Sequence, residues 1–216
     1  MQKGILITLP KFDLATEYLT YYSKSLIEKA KSENLKLKEI HERELDMNTF
    51  SKIISNLDYK FIIFNGHGSQ DSFFGYKNEI LVKVGKNENL LKERIIYARS
   101  CDSGAVLGIK CTENSKQGCF IGYNRPFVFY MDENWTSNPN NDKVANLFLY
   151  PSNLIPLSII KGNSTGQANE NSKKQILKNI KRIWRDKSRQ ETFHIIEGLW
   201  NNYIGQVLHG NEKVCL

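Results

Sequence analysis

Apolar and polar residues follow one another along the first two-thirds of the chain with two different periods, which predict strands and helices in turn. Apolar runs typical of buried strands lie at residues 4–9, 59–64, 94–100 and 119–123, and residues 35–41 alternate as a half-buried strand does. Helical periodicity predicts helices at residues 14–33, 47–57 and 105–111. Strands that alternate with helices indicate a largely parallel sheet with helices packed against it.

The other segments show different patterns. Residues 73–84, with glycines near each end, favour a small β-hairpin, and residues 133–142, which hold Pro139 and several asparagines, favour a loop. The rest of the chain is predicted to be helical, at residues 143–150, 154–161, about 170–186 and about 190–208. The predicted fold class is therefore α/β, with a mostly parallel central sheet flanked by helices and with extra C-terminal helices.

Length and composition limit the kind of protein. A chain of 216 residues with 40% hydrophobic content suits one buried core, so we expect a single domain over residues 1–216. No apolar run approaches the ~18 residues of a membrane span, and the run at residues 4–9 is too short for a secretory signal. The four cysteines form no CxxC pair and the four histidines no HExxH motif. These features predict a cytoplasmic protein with reduced thiols and without a metal or other cofactor.

The net charge of +7 is concentrated in one segment. Residues 161–189 hold nine basic and two acidic side chains, and apolar residues at helical spacing from Ile176 to Trp184 give the segment a face for the core. A solvated basic face is one interpretation, and contact with an acidic partner or a nucleic-acid backbone is the other. No zinc-finger, RNP or helix-turn-helix pattern is present, so direct reading of nucleic acid is not expected.

Two buried-type strands end in reactive side chains. The run at residues 59–64 leads to His67, which has a glycine on each side, and the run at residues 94–100 leads to Cys101. Because the carboxyl ends of neighbouring parallel strands share one edge of a sheet, we expect the imidazole and the thiol to lie side by side. A nearby imidazole can accept the thiol proton and so generate the nucleophilic thiolate. The amides of Gly68 and Cys101 are candidates for an oxyanion hole.

These two motifs resemble those of the caspase-fold cysteine peptidases, a group that includes caspases, metacaspases, legumain, separase and bacterial CHAT proteases. The residues that carry the resemblance are Phe61-Ile62-Ile63-Phe64-Asn65-Gly66-His67-Gly68 and Ile95-Ile96-Tyr97-Ala98-Arg99-Ser100-Cys101-Asp102-Ser103-Gly104. The resemblance implies a caspase-like three-layer sandwich and a catalytic dyad, with Cys101 as nucleophile and His67 as general base. The alternative is a buried cysteine and a turn histidine without a joint role.

Departures from the better-known members favour a bacterial CHAT-like relative. The caspase signature Gln-Ala-Cys-Arg-Gly is absent, and Arg99 and Asp102 stand where metacaspases carry an aspartate and a histidine. Residues 120–123 and 142–148 are similar to the strand and the helix that follow the cysteine in CHAT domains.

Three further residues are candidates for substrate binding. Arg99 lies two positions before Cys101 and is expected on the same side of its strand. The resemblance assigns this position to the pocket for the residue before the scissile bond, where an arginine can bind an acidic side chain bidentately. A structural ion pair with Asp102 or another acid is the alternative. By the same resemblance Tyr123 and its neighbour Arg125 are candidates for substrate binding. The alternatives are that Tyr123 serves only packing and that Arg125 is solvated.

The sequence therefore predicts a cysteine endopeptidase that cleaves a protein substrate, with an acidic preference as a hypothesis. The resemblance implies control by a regulatory protein partner in bacterial defence or stress signalling. Asp102, directly after the nucleophile, is a candidate to orient His67. Two other functions stay open. One is a catalytically silent caspase-fold interaction module; the other is a nucleotide- or nucleic-acid-binding protein, which is disfavoured because residues 8–13 contain no glycine for a phosphate loop.

Overall fold

The computed structural model describes residues 2–185 and 192–216. Its strands are β1 (Gln2–Leu9), β2 (Lys36–His41), β3 (Tyr59–Asn65), β4 (Ser72–Phe74), β5 (Ile80–Lys83), β6 (Ile95–Arg99), β7 (Cys119–Tyr123) and β8 (Gln206–Gly210). Its α-helices are α1 (Leu14–Tyr22), α2 (Lys24–Ser32), α3 (Met47–Leu57), α4 (Leu107–Thr112), α5 (Lys143–Ile160), α6 (Thr165–Arg185) and α7 (Thr192–Gly205).

Six strands form the central sheet, in the order β2–β1–β3–β6–β7–β8. The first five of these run parallel to one another, and β8 runs antiparallel to β7 at one edge. Strands β4 and β5 form a separate antiparallel hairpin, as the sequence predicts for residues 73–84. The predicted mostly parallel α/β sheet is therefore confirmed.

Both faces of the sheet are covered, because alternate residues of each strand enter different cores. In β1, Ile5 and Ile7 face a core that includes residues of α2, α5 and α6. Leu6, between them, faces a second core that includes residues of α3, α4 and the β4–β5 hairpin. Helices thus pack on each side of one sheet, which leaves the ends of its strands open to carry a site. Within the described residues, no helix combines the length and the apolar character needed to cross a bilayer.

The predicted helix over residues 14–33 is two helices that meet at Ser23. The hydroxyl of Ser23 donates to the carbonyl of Leu19 and accepts hydrogen bonds from Asn65 and Arg99. A serine that bonds back to its own helix bends it, and here the bend also brings the hydroxyl to the ends of β3 and β6.

The two helices predicted at residues 143–150 and 154–161 are one continuous helix, α5, which runs through Pro151 and Pro156. Each proline leaves a carbonyl four residues earlier without its helical donor. The side-chain amide of Asn179 donates to the carbonyl of Leu147, and the hydroxyl of Tyr97 donates to the carbonyl of Ser152. Contacts with other elements therefore replace the two missing hydrogen bonds.

The C-terminal helices differ from the prediction at their ends. Helix α6 begins at Thr165, earlier than expected, and α7 ends at Gly205. Residues 206–208, predicted as helix, belong to β8, because this segment pairs with β7 and forms the edge strand of the sheet. The parts of the predicted helices that fall on residues 186–191 lie outside the described residues.

Candidate active site

The carboxyl ends of three adjacent strands supply the candidate site. Strand β3 lies between β1 and β6, and Asn65 at the end of β3 pairs with Arg99 at the end of β6. Two positions beyond each member of this pair are His67 and Cys101. The chain that leaves β1 reaches the same edge at Asp13, which begins helix α1. Sheet topology therefore brings together residues that are far apart in sequence.

Two glycines allow the His67 turn to lie against the Cys101 turn. Gly66 has φ of 146°, a conformation that side chains rarely adopt, and a Cβ there would lie 2.9 Å from the carbonyl oxygen of Phe74. A Cβ on Gly68 would lie 2.8 Å from the carbonyl oxygen of Cys101. A side chain at either position would force the backbone segments apart.

His67 and Cys101 line one small cavity at this edge of the sheet. Its volume is about 90 Å³, and its walls also include Thr16 and Leu19 of α1 together with Phe127 and Phe129. Ordinary ligand pockets measure about 300–1,000 Å³. The cavity therefore has no room for a peptide until neighbouring groups move.

Asp13 holds the imidazole of His67. The Nε2 atom of His67 lies 2.7 Å from Oδ2 of Asp13. The other carboxylate oxygen of Asp13 accepts the amide of Thr16 at 2.8 Å, which makes Asp13 the N-cap of α1. The ring of Phe12 packs edge-on to the imidazole, with 5.9 Å between ring centres. The start of the helix thus fixes the carboxylate, and the carboxylate fixes the imidazole.

This contact also assigns the proton on the imidazole. An ionised carboxylate only accepts hydrogen bonds, so Nε2 of His67 is the donor in this contact, and in the neutral imidazole Nδ1 holds the lone pair. Burial alone would raise the pKa of Asp13, but hydrogen bonds from His67 and Thr16 outweigh it and lower that pKa below its ordinary value. Asp13 is therefore ionised at neutral pH and can stabilise a positive charge that forms on His67.

The thiol of Cys101 is protonated in the free chain at neutral pH. Burial raises its pKa, the negative charge of Asp102 raises it further, and the contact with the carbonyl of Phe127 opposes the change. That carbonyl oxygen lies 4.0 Å from Sγ. Burial raises the pKa of Cys111 and Cys119 to about 12, so these two thiols are much less reactive. Cys101 thus needs a base before it can act as a nucleophile.

Replacing Asp102 with asparagine is expected to make Cys101 more reactive. The backbone of Asp102 has φ of 58°, which asparagine tolerates well, and the change removes a negative charge beside the thiol. The thiol pKa should fall, so the thiolate fraction at pH 7.5 should rise by about two- to fivefold. The rate of alkylation by iodoacetamide as a function of pH, in a Cys215→Ser background, measures this. Glu113→Gln, remote from the site, is the control, and an unchanged midpoint for Asp102→Asn would contradict the assignment.

The two amides proposed for the oxyanion hole are unengaged. Gly68 lies opposite Phe73 in an antiparallel bridge. The hydrogen bonds of this bridge are made by the residues on either side of the pair, so the N–H of Gly68 points away from the hairpin. Over residues 2–185 and 192–216, neither the Gly68 amide nor the Cys101 amide has a hydrogen-bond acceptor. Both donors are available, and their binding of an oxyanion stays a prediction.

Arg99 is fully buried and lines the cavity, and within the described residues the alternative role, an ion pair with Asp102 or another acid, does not occur. Its guanidinium donates to the side-chain oxygens of Asn65, Asn153 and Ser23, each at 2.7 Å, and to the carbonyl of Leu19 at 3.3 Å. All four acceptors are neutral. Burial lowers the pKa of Arg99, yet an arginine stays charged, so a positive charge without a carboxylate partner lies in the wall of the cavity.

Tyr123 and Arg125 lie outside the residues that line the cavity. The ring of Tyr123 is buried and packs on Phe127, with 4.6 Å between ring centres. The carbonyl of Arg125 accepts the amide of Asp102, and its side chain covers Gly205, while its Nε is buried without a partner in the described residues. Their contact with substrate stays a prediction.

Sequence reasoning missed two parts of the site. Asp13 could have been predicted as a helix N-cap. It lies between a strand and a helix, three residues before Thr16. Its contact with His67 replaces the expected orientation by Asp102. No sequence pattern places Phe127 near Cys101, because this contact depends on how residues 124–131 cross the sheet edge.

No family model matches the chain, and no curated protein matches it. At this edge of the α/β sheet the carboxylate of Asp13 contacts the imidazole of His67, and His67 lines one cavity with Cys101 and the buried Arg99.

Proposed function

We propose that this chain is a cysteine endopeptidase with a caspase-like fold, in which Cys101 is the nucleophile and His67 the general base. The observation that carries the proposal is the shared cavity of these two residues at the ends of adjacent parallel strands. The imidazole is held by a carboxylate on the nitrogen that the reaction does not use. A nucleophile, a base and an orienting group form the arrangement that activates a thiol.

In the proposed reaction Nδ1 of His67 accepts the proton of the Cys101 thiol, and the thiolate attacks the carbonyl carbon of the scissile bond. The amides of Gly68 and Cys101 donate to the oxyanion that forms, and each such donor lowers a barrier by about 3 kcal/mol. The imidazolium, stabilised by Asp13, then gives its proton to the leaving amine. Water assisted by His67 hydrolyses the acyl-enzyme and restores the thiol.

The positive charge of Arg99 supports a preference for an acidic residue before the scissile bond. Arg99 lines the cavity, and none of its hydrogen-bond acceptors is charged. A carboxylate side chain entering this region would meet an uncompensated positive charge, which favours it over the neutral amide of the same size.

A catalytically silent interaction module is the second candidate function. The small cavity and the raised pKa of Cys101 favour it, because both describe a thiol that is at rest in the free chain. The same two features also describe an enzyme that awaits activation. The two candidates differ in whether any condition yields cleavage that depends on Cys101.

A peptide library analysed by mass spectrometry tests the proposed function. Wild-type chain is expected to cleave library members, with aspartate or glutamate before the scissile bond preferred over asparagine or glutamine by about tenfold or more. The Cys101→Ala chain, purified in parallel, is the control for contaminating proteases. Cleavage that persists in Cys101→Ala would refute the assignment of the nucleophile, and a preference for lysine or arginine would refute the acidic site.

A further inference from the structure

Residues 124–131, called the covering segment here, lie over the nucleophile. Phe127 and Phe129 line the Cys101 cavity, and the carbonyl of Phe127 faces the thiol. The buried side chain of Asn202 in α7 accepts the amide of Val128 at 2.9 Å and donates to its carbonyl at 2.6 Å. Helix α7 therefore holds the covering segment by its backbone.

Three neighbouring concavities lead from helix α6 to the far end of the covering segment. The first, of about 810 Å³, is open and its described lining belongs to α6 alone, and the second, of about 380 Å³, lies between α5, α6 and α7. They share Arg182. The third, of about 620 Å³, shares Val144 and Ile195 with the second and reaches Tyr130 and Met131. Together these concavities form one groove, called the α6–α7 groove here.

The α6–α7 groove changes chemical character along its length. At the α6 end its charged lining is entirely basic, from Lys174, Lys178, Lys181, Arg182 and Arg185. The middle is apolar, with Val144, Leu147, Ile183 and Ile195. Asp132 and Glu133 lie at the covering-segment end. Beside the groove Trp184 and Phe193 are 62% and 73% exposed and contact each other edge-on. Two aromatic rings so exposed are typical of an interaction surface.

We propose that the α6–α7 groove binds a protein segment in which acidic residues are followed by apolar ones. The acidic part lies on the α6 end, and the apolar part lies in the middle cleft and against the covering segment. The cleft between α5, α6 and α7 suits a chain better than it suits a flat lipid surface. Asp132 and Glu133 would repel the continuous charge of a nucleic-acid backbone.

Occupancy of the groove acts on the Cys101 cavity through the covering segment. The third concavity ends at Tyr130 and Met131, three and four positions after Phe127. A partner that packs there competes with the contacts that keep Phe127 over the thiol. An effect of the partner on peptide cleavage rests on the proposed function. A change in access to the Cys101 thiol does not, since it is measurable without any peptidase activity.

Binding is tested with a fluorescein-labelled 16-residue peptide that has glutamates in its first half and leucine and phenylalanine in its second. The full chain carrying Cys101→Ala is used, so catalysis plays no part. Adding Lys178→Glu, Lys181→Glu and Arg182→Glu together is expected to weaken binding by at least about tenfold. The matched control adds Lys52→Glu, Lys86→Glu and Lys116→Glu, which change the net charge equally on exposed positions elsewhere, and is expected to bind within about twofold of the parent.

Equal losses in the two triple variants would overturn the docking site. So would binding of oligothymidylate or of phosphatidylserine vesicles by the same basic residues without binding of the peptide. In wild-type chain the peptide is expected to change the rate of Cys101 alkylation by iodoacetamide by at least about threefold. Peptide binding with an unchanged rate would overturn the link to the cavity. Binding and rate change without any cleavage of the peptide library would count against the proposed peptidase alone.

Discussion

Replacing Cys101 with alanine is expected to abolish peptide cleavage, and replacing His67 with alanine is expected to lower kcat/KM by roughly 10³–10⁴-fold. The first change removes the sulfur atom that forms the acyl-enzyme in the proposed mechanism. The second leaves a thiol whose pKa is raised by burial and by Asp102, without a base to take its proton. Cleavage assays on the preferred library peptide measure both effects.

The matched control for these variants is Cys215→Ala. Cys215 is an exposed free cysteine near the C-terminus, so it reports any effect of thiol loss outside the cavity. Its activity is expected to equal that of wild type. Both site variants should fold, since His67 and Cys101 are only partly buried. If the His67→Ala chain retains most of its activity, the imidazole takes no part in the mechanism.

Replacing Asp13 with alanine is expected to lower kcat by roughly 30- to 300-fold while KM stays nearly constant, because in the proposed mechanism Asp13 positions His67. Without its carboxylate the imidazole is no longer held at Nε2, and the positive charge that forms on the ring loses its partner. Steady-state kinetics separate the two constants. Because the pKa of Asp13 is lowered, the carboxylate stays charged above about pH 5, and the acid limb of wild-type activity should not come from Asp13.

The control for Asp13→Ala must lose a helix cap without touching the site. Asp46 caps α3 by accepting the amides of Asn48 and Thr49, and it is not among the residues that line the cavity. Each cap variant is expected to lose about 1 kcal/mol of unfolding free energy in urea. Only Asp13→Ala should lose kcat. Equal kinetics for the two variants would reduce Asp13 to a structural cap.

The adjacency of β3 and β6, which places His67 and Cys101 at one edge of the sheet, was within reach of the sequence. The apolar runs of β3 and β6 mark buried parallel strands, and each run ends in a glycine-containing turn with one reactive side chain. Successive parallel strands of a sheet tend to lie next to each other, and β3 and β6 are adjacent in the central sheet.

Elements that depend on distant partners were beyond such reasoning. Helix α5 continues through Pro151 because Asn179, on another helix, supplies the missing donor. Residues 206–208 follow α7 without a proline, so only their pairing with β7 identifies them as strand. The neutral hydrogen-bond partners of Arg99 come from α1, β3, α5 and the junction of α1 with α2, which no local pattern indicates.

In the proposed mechanism the imidazole of His67 governs the reactivity of the Cys101 thiol. The most direct measurement is the pH dependence of Cys101 alkylation by iodoacetamide in wild-type and His67→Ala chains, both carrying Cys215→Ser. At pH 7 the wild-type rate is expected to exceed the His67→Ala rate by at least about tenfold, and the variant should react only as pH rises toward the raised pKa of its thiol. Two profiles that superimpose across the pH range would contradict the claim.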